Sequence, residues 1–109
     1  MVSRELSIEE DGDLLTLSGS LTIEHGCKLL EALRTIIARG SRIRVSLAEV
    51  EDLDAAGLQI LYAARAEALR DSKEFTWTAL SAACGEVAEI AGMSQILGFP
   101  EPAGSARPR

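Results

Sequence analysis

The residues that could carry chemistry in this chain are few, and their spacing argues against an enzyme. The single histidine, His25, lies two positions before Cys27 in a helical pattern, and side chains at that spacing do not face each other. We therefore predict no Cys–His nucleophile pair. The sequence also lacks the glycine-rich motifs G-x-x-x-x-G-K and G-x-G-x-x-G, which bind phosphates through backbone amides. We expect neither a bound nucleotide nor any other cofactor.

The most concentrated set of polar side chains lies between residues 49 and 54. Its carboxylates belong to Glu49, Glu51, Asp52 and Asp54. They lack the spacing and the central glycine of a calcium-binding loop, so we predict no metal site there. Asp54 stands directly before an Ala/Leu-rich segment, where an aspartate is a favoured helix N-cap. Gly57 in the first turn of that helix would let another backbone approach closely. A capped helix without further function explains this spacing equally well.

Composition indicates a single soluble domain that binds neither nucleic acid nor membrane. The chain has 109 residues, of which 47% are hydrophobic and 26% charged, as in ordinary globular proteins. Its net charge of −6 argues against the cationic surface that nucleic-acid binding requires, and it disfavours anionic membranes. We predict one domain over residues 1–99. Residues 100–109 have no apolar anchor, and we expect them to form a disordered C-terminal tail.

Two further features favour the cytoplasm. The segment Met1-Val-Ser-Arg-Glu-Leu has no apolar core of a signal peptide, and no stretch is long enough to span a membrane. Cys27 and Cys84 are far apart, and we interpret both as buried free thiols in a reducing compartment. A disulfide between them stays open as the alternative.

Hydrophobic periodicity predicts strands that alternate with helices. Two short strands, Leu6–Ile8 and Leu14–Leu17, are joined by a turn whose Asp-Gly pair is typical of a hairpin. Ser20 or Thr22 would cap the first helix, and Gly40 would end it. The segments after the hairpin are predicted, in order, as a helix over Glu24–Ala38, a strand over Arg42–Leu47, an acidic turn over Glu49–Asp52, a helix over Ala55–Arg70, a strand over Glu74–Leu80, a helix capped by Ser81 and closed by Gly92, and a last turn over Ser94–Phe99.

The apolar residues on each predicted helix form its expected core face. For the first helix these are Ile23, Cys27, Leu30, Leu33 and Ile37. For the second helix they are Leu58, Leu61, Tyr62 and Leu69. The third helix would bury Cys84, Val87, Ile90 and Ala91, and the last turn would pack Ile96, Leu97 and Phe99 on the core.

The element order β-β-α-β-α-β-α indicates an α/β fold. It predicts right-handed crossovers, parallel pairing in part of the sheet and an antiparallel hairpin at its start. Strands covered on both faces are normally apolar throughout. Here the alternate positions of the two later strands hold the polar residues Arg44, Ser46, Thr76 and Thr78. We therefore predict that one face of the sheet is open to water or to a partner.

Three segments together resemble a known family, the STAS domains of bacterial anti-sigma factor antagonists. The first is Leu17-Ser-Gly-Ser-Leu after the hairpin, which resembles the family's G-x-L. The second is Val45-Ser-Leu-Ala-Glu-Val-Glu-Asp-Leu-Asp-Ala-Ala-Gly-Leu, which is similar to the family signature ending in Asp-Ser-x-Gly-Leu. The third is Ile90-Ala-Gly-Met with Ile96-Leu-Gly-Phe. The resemblance covers roughly residues 4 to 99. It implies a STAS-like (SpoIIAA-like) single domain, with a mixed sheet of about four strands, an N-terminal hairpin and three to four helices.

The resemblance also implies a switch that this chain lacks at its usual place. Antagonists of this family are phosphorylated on a Ser or Thr directly after the motif Asp by a kinase-like anti-sigma factor, and the unphosphorylated form binds that partner. The corresponding position here is Ala55, which has no hydroxyl, whereas Asp54 and Gly57 are kept. The family's earlier strand-end Asp is Ser46. Phosphate on Ser46 or Ser81 would mean that the switch has moved.

By this resemblance we expect a cytoplasmic, non-enzymatic signalling module that acts in transcription regulation through protein–protein interaction. It would dock a kinase-like or other signalling partner through one loop and the following helix. The alternative is a STAS subunit of an ABC-type lipid transport complex that binds its ATPase. A homodimer stays open in either case. The expected partner-binding loop consists of Asp52, Asp54, Ala55, Ala56, Gly57 and Leu58.

Overall fold

A computed structural model of the chain describes residues 5–99. The predicted tail over residues 100–109 lies outside them. The described elements are β1 (Ser7–Asp11), β2 (Leu14–Leu21), a short 3-10 helix (Ile23–His25), α1 (Gly26–Arg39), β3 (Arg42–Leu53), α2 (Ala55–Arg70), β4 (Glu74–Leu80), α3 (Ala82–Ile90) and α4 (Ser94–Leu97).

One four-stranded mixed sheet organises these elements, in the order β1-β2-β3-β4. β1 and β2 pair antiparallel through a two-residue turn, Gly12 and Asp13, with Gly12 at φ +62°. The pairs β2–β3 and β3–β4 are parallel. The predicted α/β class, the N-terminal hairpin and the four-stranded mixed sheet are therefore confirmed.

The core lies between one face of this sheet and the helices. α1 and α2 each connect neighbouring parallel strands in the same spatial order, so right-handed crossovers place both on one face. α4 lies on that face too, because the indole Nε1 of Trp77 donates to the carbonyl oxygen of Leu97 at 2.7 Å. The sheet residues buried there are Leu15, Leu17, Ile43, Val45, Leu47 and Trp77.

The opposite face is polar, as predicted. Thr76 and Thr78 of β4 are exposed, and Arg44 and Ser46 of β3 are half-buried. In parallel pairs, residues in register point to the same side, so Thr76 lies beside Arg44 on this face.

The predicted acidic turn over Glu49–Asp52 is wrong, because these residues belong to β3. Relative to β2, β3 holds two extra residues, one between Ser46 and Glu49 and one between Val50 and Asp52. Each such bulge shifts the alternation by one residue. The buried side chains are therefore spaced by three residues rather than two, at Leu47, Val50 and Leu53. Its acidic side chains are exposed along the strand.

The predicted core face of the first helix is partly wrong. Residues 23–25 form a 3-10 helix rather than the first α-helical turn, which changes the direction of their side chains. Ile23 is 73% exposed, Cys27 is exposed and Leu30 is half-buried. The face that α1 buries consists of Leu29, Leu33, Ile36 and Ile37, which follows helical spacing from its true start.

The capping predictions succeed in part. Ser81 caps α3 by accepting a hydrogen bond from the amide of Cys84 at 3.1 Å, and Gly92 follows α3 at φ +72°. Gly40 follows α1 in extended backbone. Neither Ser20 nor Thr22 caps a helix with its side chain: Ser20 lies within β2, and Thr22 precedes the 3-10 helix without a side-chain cap hydrogen bond.

Five further side chains predicted for the core lie at the surface, and one of them is the exposed Ala91 after α3. Ile90 is 87% exposed, and Ile96 is 51% exposed, because Ala88 and Leu97 take the buried positions of their helices. On α2 the buried positions are taken by Leu58, Leu61, Ala64 and Ala68 together with Gly57. Tyr62 and Leu69, at 39% and 46% exposure, lie outside that face.

Candidate functional site

Asp54 is the residue that organises the loop between β3 and α2. Its Oδ1 accepts a hydrogen bond from the amide of Gly57 at 2.9 Å, which confirms the predicted N-cap. Its Oδ2 accepts a second hydrogen bond from the amide of Ile23 at 3.0 Å. One carboxylate therefore binds the first turn of α2 and the segment that follows β2, and it holds the two together.

Gly57 is required for the close approach of those two segments. A Cβ atom at this position would lie 2.1 Å from the carbonyl oxygen of Leu21 and 2.9 Å from Cδ1 of Leu53. The same carbonyl of Leu21 accepts a hydrogen bond from the amide of Asp54 at 3.3 Å. The end of β2 therefore packs directly against the backbone of α2, as the glycine predicted.

A second polar link joins β2 to β3 just before this loop. The hydroxyl of Ser20 donates to Oδ2 of Asp52 at 3.2 Å. Ser20 is 2% exposed, whereas Asp52 is exposed. Sequence reasoning did not identify Ser20 as part of this region. Its position directly after Gly19 (φ +89°), where β3 carries its second bulge, is the local feature that distinguishes it.

The predicted loop residues differ in how far they reach the surface. Asp52 and Ala55 are exposed, and Asp54 and Ala56 are half-buried. Gly57 and Leu58 are buried, so they support the loop from within. Ile23, which was not predicted for the site, lies beside Asp54 with 73% of its side chain exposed. The sequence predicts Ile23 as a core residue instead, because apolar residues at helical spacing normally belong to the core.

An uncharged surface continues from this loop along α2. We define the α2 stripe by positions spaced three or four residues apart, which share one side of a helix. None of its members carries a formal charge, and all are exposed except Ala66, which is half-buried. The α2 stripe consists of Ala55, Gln59, Tyr62, Ala66 and Leu69. This surface explains why α2 is apolar on two sides, since its other side is buried in the core.

The described residues show no catalytic constellation. Cys27 is exposed and Cys84 is buried, and both are free thiols, so the prediction of two buried thiols is correct only for Cys84. Burial raises the pKa of the Cys84 thiol, which keeps it protonated and unreactive. Within residues 5–99, no cluster of three or more His, Cys, Asp and Glu side chains could hold a metal ion. None of the described helices is long and apolar enough to cross a membrane.

The chain belongs to the STAS domain family. The family model that matches is described as Mlab, STAS domain, and the match covers residues 5–98. Nearly all of the described structure therefore falls within one STAS domain, as the sequence resemblance predicted.

Two solved structures show the same fold. An anti-sigma factor antagonist from Mycobacterium paratuberculosis is 24% identical with a TM-score of 0.70, over 90% of this chain and 84% of that one. The anti-sigma factor antagonist SpoIIAA in its unphosphorylated form is 14% identical with a TM-score of 0.61, over 89% of this chain and 100% of that one. Both similarities concern the fold. None of the curated proteins matches this chain.

Proposed function

We propose that this chain is a cytoplasmic, non-enzymatic regulatory module that binds a protein partner through the Asp52–Leu58 loop and the α2 stripe. The observation that carries the proposal is the exposed methyl group of Ala55, at the point where a loop fixed by Asp54 meets an uncharged helix surface. In the antagonists that this chain resembles, that position carries the phosphorylated hydroxyl. Here the same surface is permanently without it.

The physical case for docking rests on preorganisation and on charge. Asp54 fixes the loop through two hydrogen bonds to backbone amides, so little conformational entropy is lost when a partner binds there. The chain has a net charge of −6, yet the α2 stripe carries no charge. Tyr62 and Leu69 therefore offer a partner side chains without charge, and the guanidinium of Arg65, which lies between them along α2, already donates to the carbonyl oxygen of Ile96 at 3.2 Å. Tyr62 supplies the aromatic side chain that such interfaces favour.

The partner proposed is the ATPase-like domain of a kinase-type anti-sigma factor or a related signalling protein. The second candidate is the ATPase of an ABC-type lipid transporter, which would also be bound by a STAS subunit. Both are protein partners, and both proposals place the contact on the same loop and helix. Identification of the captured protein separates them: a kinase-like domain supports the first, and a transporter ATPase supports the second.

The experiment compares two alanines in matched positions. Ala55 and Ala82 are both exposed, and each is the first residue of a helix after a side-chain N-cap. A glutamate in the first turn is favourable for either helix, so Ala55→Glu and Ala82→Glu should both fold. The wild-type chain is used to capture its partner from native extract, and the affinity of each variant for the purified partner is then measured by calorimetry.

We expect Ala55→Glu to weaken binding at least tenfold, because it places a charge at the head of the α2 stripe. Ala82→Glu should bind as the wild type does. Tyr62→Glu provides a second test within the stripe, with the exposed Ile90→Glu on α3 as its control. If Ala55→Glu and Tyr62→Glu both bind the partner with wild-type affinity, this surface is not the interface and the proposal fails.

A further inference from the structure

The two edge strands of the sheet differ in charge. Within residues 5–99, no strand pairs with the outer side of β1 or of β4. β1 carries three acidic side chains in its five residues, Glu9, Glu10 and Asp11. β4 has no charged residue from Phe75 to Leu80. Charged side chains on an edge strand oppose its pairing with another chain. β1 is therefore protected against such pairing, whereas β4 is not.

The outer side of β4 presents backbone groups that another strand can bind. The amide of Glu74 donates to the carbonyl oxygen of Ser41 at 2.9 Å, so it points toward β3. Backbone groups of successive residues in a strand point to alternate sides. The amides and carbonyls of Phe75 and Trp77 therefore point away from β3, which is the only described strand that pairs with β4. Phe, Thr and Trp, which form the centre of β4, are also residues that strands favour.

We propose that two copies of this chain pair antiparallel through β4 and join their four-stranded sheets into one continuous sheet. A two-fold axis at Thr76 places Phe75 of each copy opposite Trp77 of the other. Each of these two pairs then exchanges both of its backbone hydrogen bonds, through the groups that point away from β3. Thr76 lies directly opposite its own copy. Cross-strand pairs of threonines and of aromatic side chains both stabilise a sheet. The α2 stripe takes no part in this contact.

The charge of the chain restricts how two copies can meet. Each copy has a net charge of −6, so a stable contact must keep acidic side chains apart. In this pairing Glu74, the only charged residue of β4, lies opposite Thr78 of the other copy. The two Glu74 residues are then separated by about 13 Å along the strands, which exceeds the screening length of about 8 Å at physiological salt. Pairing through β1 would instead bring the acidic side chains of both copies together.

The C-terminal segment of the same chain suits this edge less well. It follows Phe99, whose ring contacts Trp77 of β4 with the centroids 5.2 Å apart. Residues 100–109 include Pro100, Pro102 and Pro108. Proline has no amide hydrogen, so this segment offers fewer donors to a strand ladder than β4 of a second copy does.

The first experiment measures self-association of the full chain by sedimentation velocity over a range of concentrations. We expect a reversible dimer in the wild type. Thr76→Lys should raise its dissociation constant at least tenfold, because it places two like charges directly opposite each other. Ser7→Lys, which adds the same charge to an exposed position of β1, is the control and should dimerise as the wild type does. A wild-type chain that stays monomeric up to millimolar concentration overturns the proposal. A dimer that Tyr62→Glu dissociates and Thr76→Lys leaves intact also overturns it, because the contact then lies on the α2 stripe.

The second experiment tests the register by disulfide cross-linking in a Cys27→Ala background, since Cys27 is exposed. In the proposed pairing the two Cα atoms of residue 76 lie about 4.5 Å apart, within the range that a disulfide spans. The two residues at position 78 are about 13 Å apart along the strands. Thr76→Cys should therefore form a disulfide-linked dimer under mild oxidation, and the neighbouring exposed variant Thr78→Cys should not.

Equal cross-linking of the two cysteine variants, or cross-linking of Thr78→Cys alone, overturns the proposed pairing. Binding of the captured partner is measured on the same samples. If no β4 dimer forms but Ala55→Glu still weakens partner binding, the proposed function of the loop stands and only the inference about β4 is wrong.

Discussion

Two aspartates lie at opposite ends of β3, and their carboxylates bind different kinds of group. Asp13, in the hairpin turn, accepts hydrogen bonds from Nε and Nη2 of Arg44 at 2.9 and 2.7 Å. Its Oδ2 also lies 3.7 Å from Nε of Arg42. Asp54, directly after β3, binds the backbone amides of Ile23 and Gly57. At one end of the strand the carboxylate forms an ion pair with side chains, and at the other end it binds backbone amides.

The difference shows where the structure is rigid. Exposed ion pairs contribute little, because water and salt screen them and long side chains lose entropy when they are fixed. A carboxylate that accepts from two amides determines the relative position of two segments, since amides cannot move without the chain. The ion pair at the Asp13 end of β3 can therefore change with little effect on stability. The hydrogen bonds at the Asp54 end fix the shape of the loop surface. Three substitutions test this contrast, in order of decreasing expected effect.

Gly57→Ala should have the largest effect. Its Cβ would collide with the carbonyl oxygen of Leu21 at 2.1 Å, so α2 must move away from β2. We expect a loss of about 3 kcal/mol or more in the free energy of unfolding, measured by urea denaturation. Gly85→Ala in α3 is the control, because its Cβ would meet only Leu80 at 3.8 Å. That variant should be neutral or more stable, by up to about 1 kcal/mol. Equal effects of the two substitutions would contradict the close approach at Gly57.

Asp54→Ala should have an intermediate effect. It removes the N-cap of α2 and the bond to Ile23, and we expect a loss of about 2 kcal/mol in the same measurement. Asp71→Ala is the matched control at the other end of α2, where a negative charge faces the negative end of the helix dipole. It should leave stability unchanged or raise it slightly. A loss for Asp71→Ala as large as that for Asp54→Ala would show that general helix electrostatics, rather than the two amide bonds, is responsible.

Asp13→Asn should have the smallest effect, and that effect should depend on pH. The hydrogen bond from Arg44 lowers the pKa of Asp13 below its ordinary value of 3.8. Because the folded pKa is lower than the unfolded one, the ion pair stabilises the fold above pH 3.8, and this contribution is lost as the pH falls through the folded pKa. The difference between wild type and variant should therefore be present at neutral pH and disappear in acid, as followed by denaturation at several pH values.

The matched control for the hairpin is Glu9→Gln, a carboxylate of β1 without an ion pair among the described residues. It should show no comparable dependence on pH. An Asp13→Asn difference that stays constant down to the acid transition would show that the Arg44 pair is not its source.

The sequence predicted the order and type of the strands and helices better than their extent. α2 and β4 were predicted with their observed bounds, because periodicity is regular within them. The predicted β3 ends at Leu47, whereas the observed strand continues to Leu53. The prediction is too short because two bulges change the spacing of the buried residues from two to three beyond Leu47. Bulges depend on pairing with β2, which is a tertiary feature that local pattern does not contain. The acidic residues beyond Leu47 therefore resembled a turn.

For the site, the sequence predicted the cap and the glycine but not the second segment. Asp54 and Gly57 are recognisable because their roles are local to one helix turn. Ile23 and Ser20 come from the end of β2, and only parallel pairing brings them to the loop. Likewise, Tyr62 and Leu69 are residue types that are common in protein cores. Their spacing does not show that the smaller side chains of alanines on the other side of α2 already fill the core.

The bond between Asp54 and Ile23 joins residues 31 positions apart in the sequence. Contacts of such separation form late in folding, because the entropy of closing the intervening chain is lost before they form. The intervening segment contains all of α1 and β3, so the loop has its final shape only when both have been incorporated. During synthesis, a nascent chain that ends before α2 lacks the α2 stripe, which belongs to the surface proposed above for partner binding. A partner that binds at this loop would therefore recognise only chains in which β2, β3 and the start of α2 have already come together.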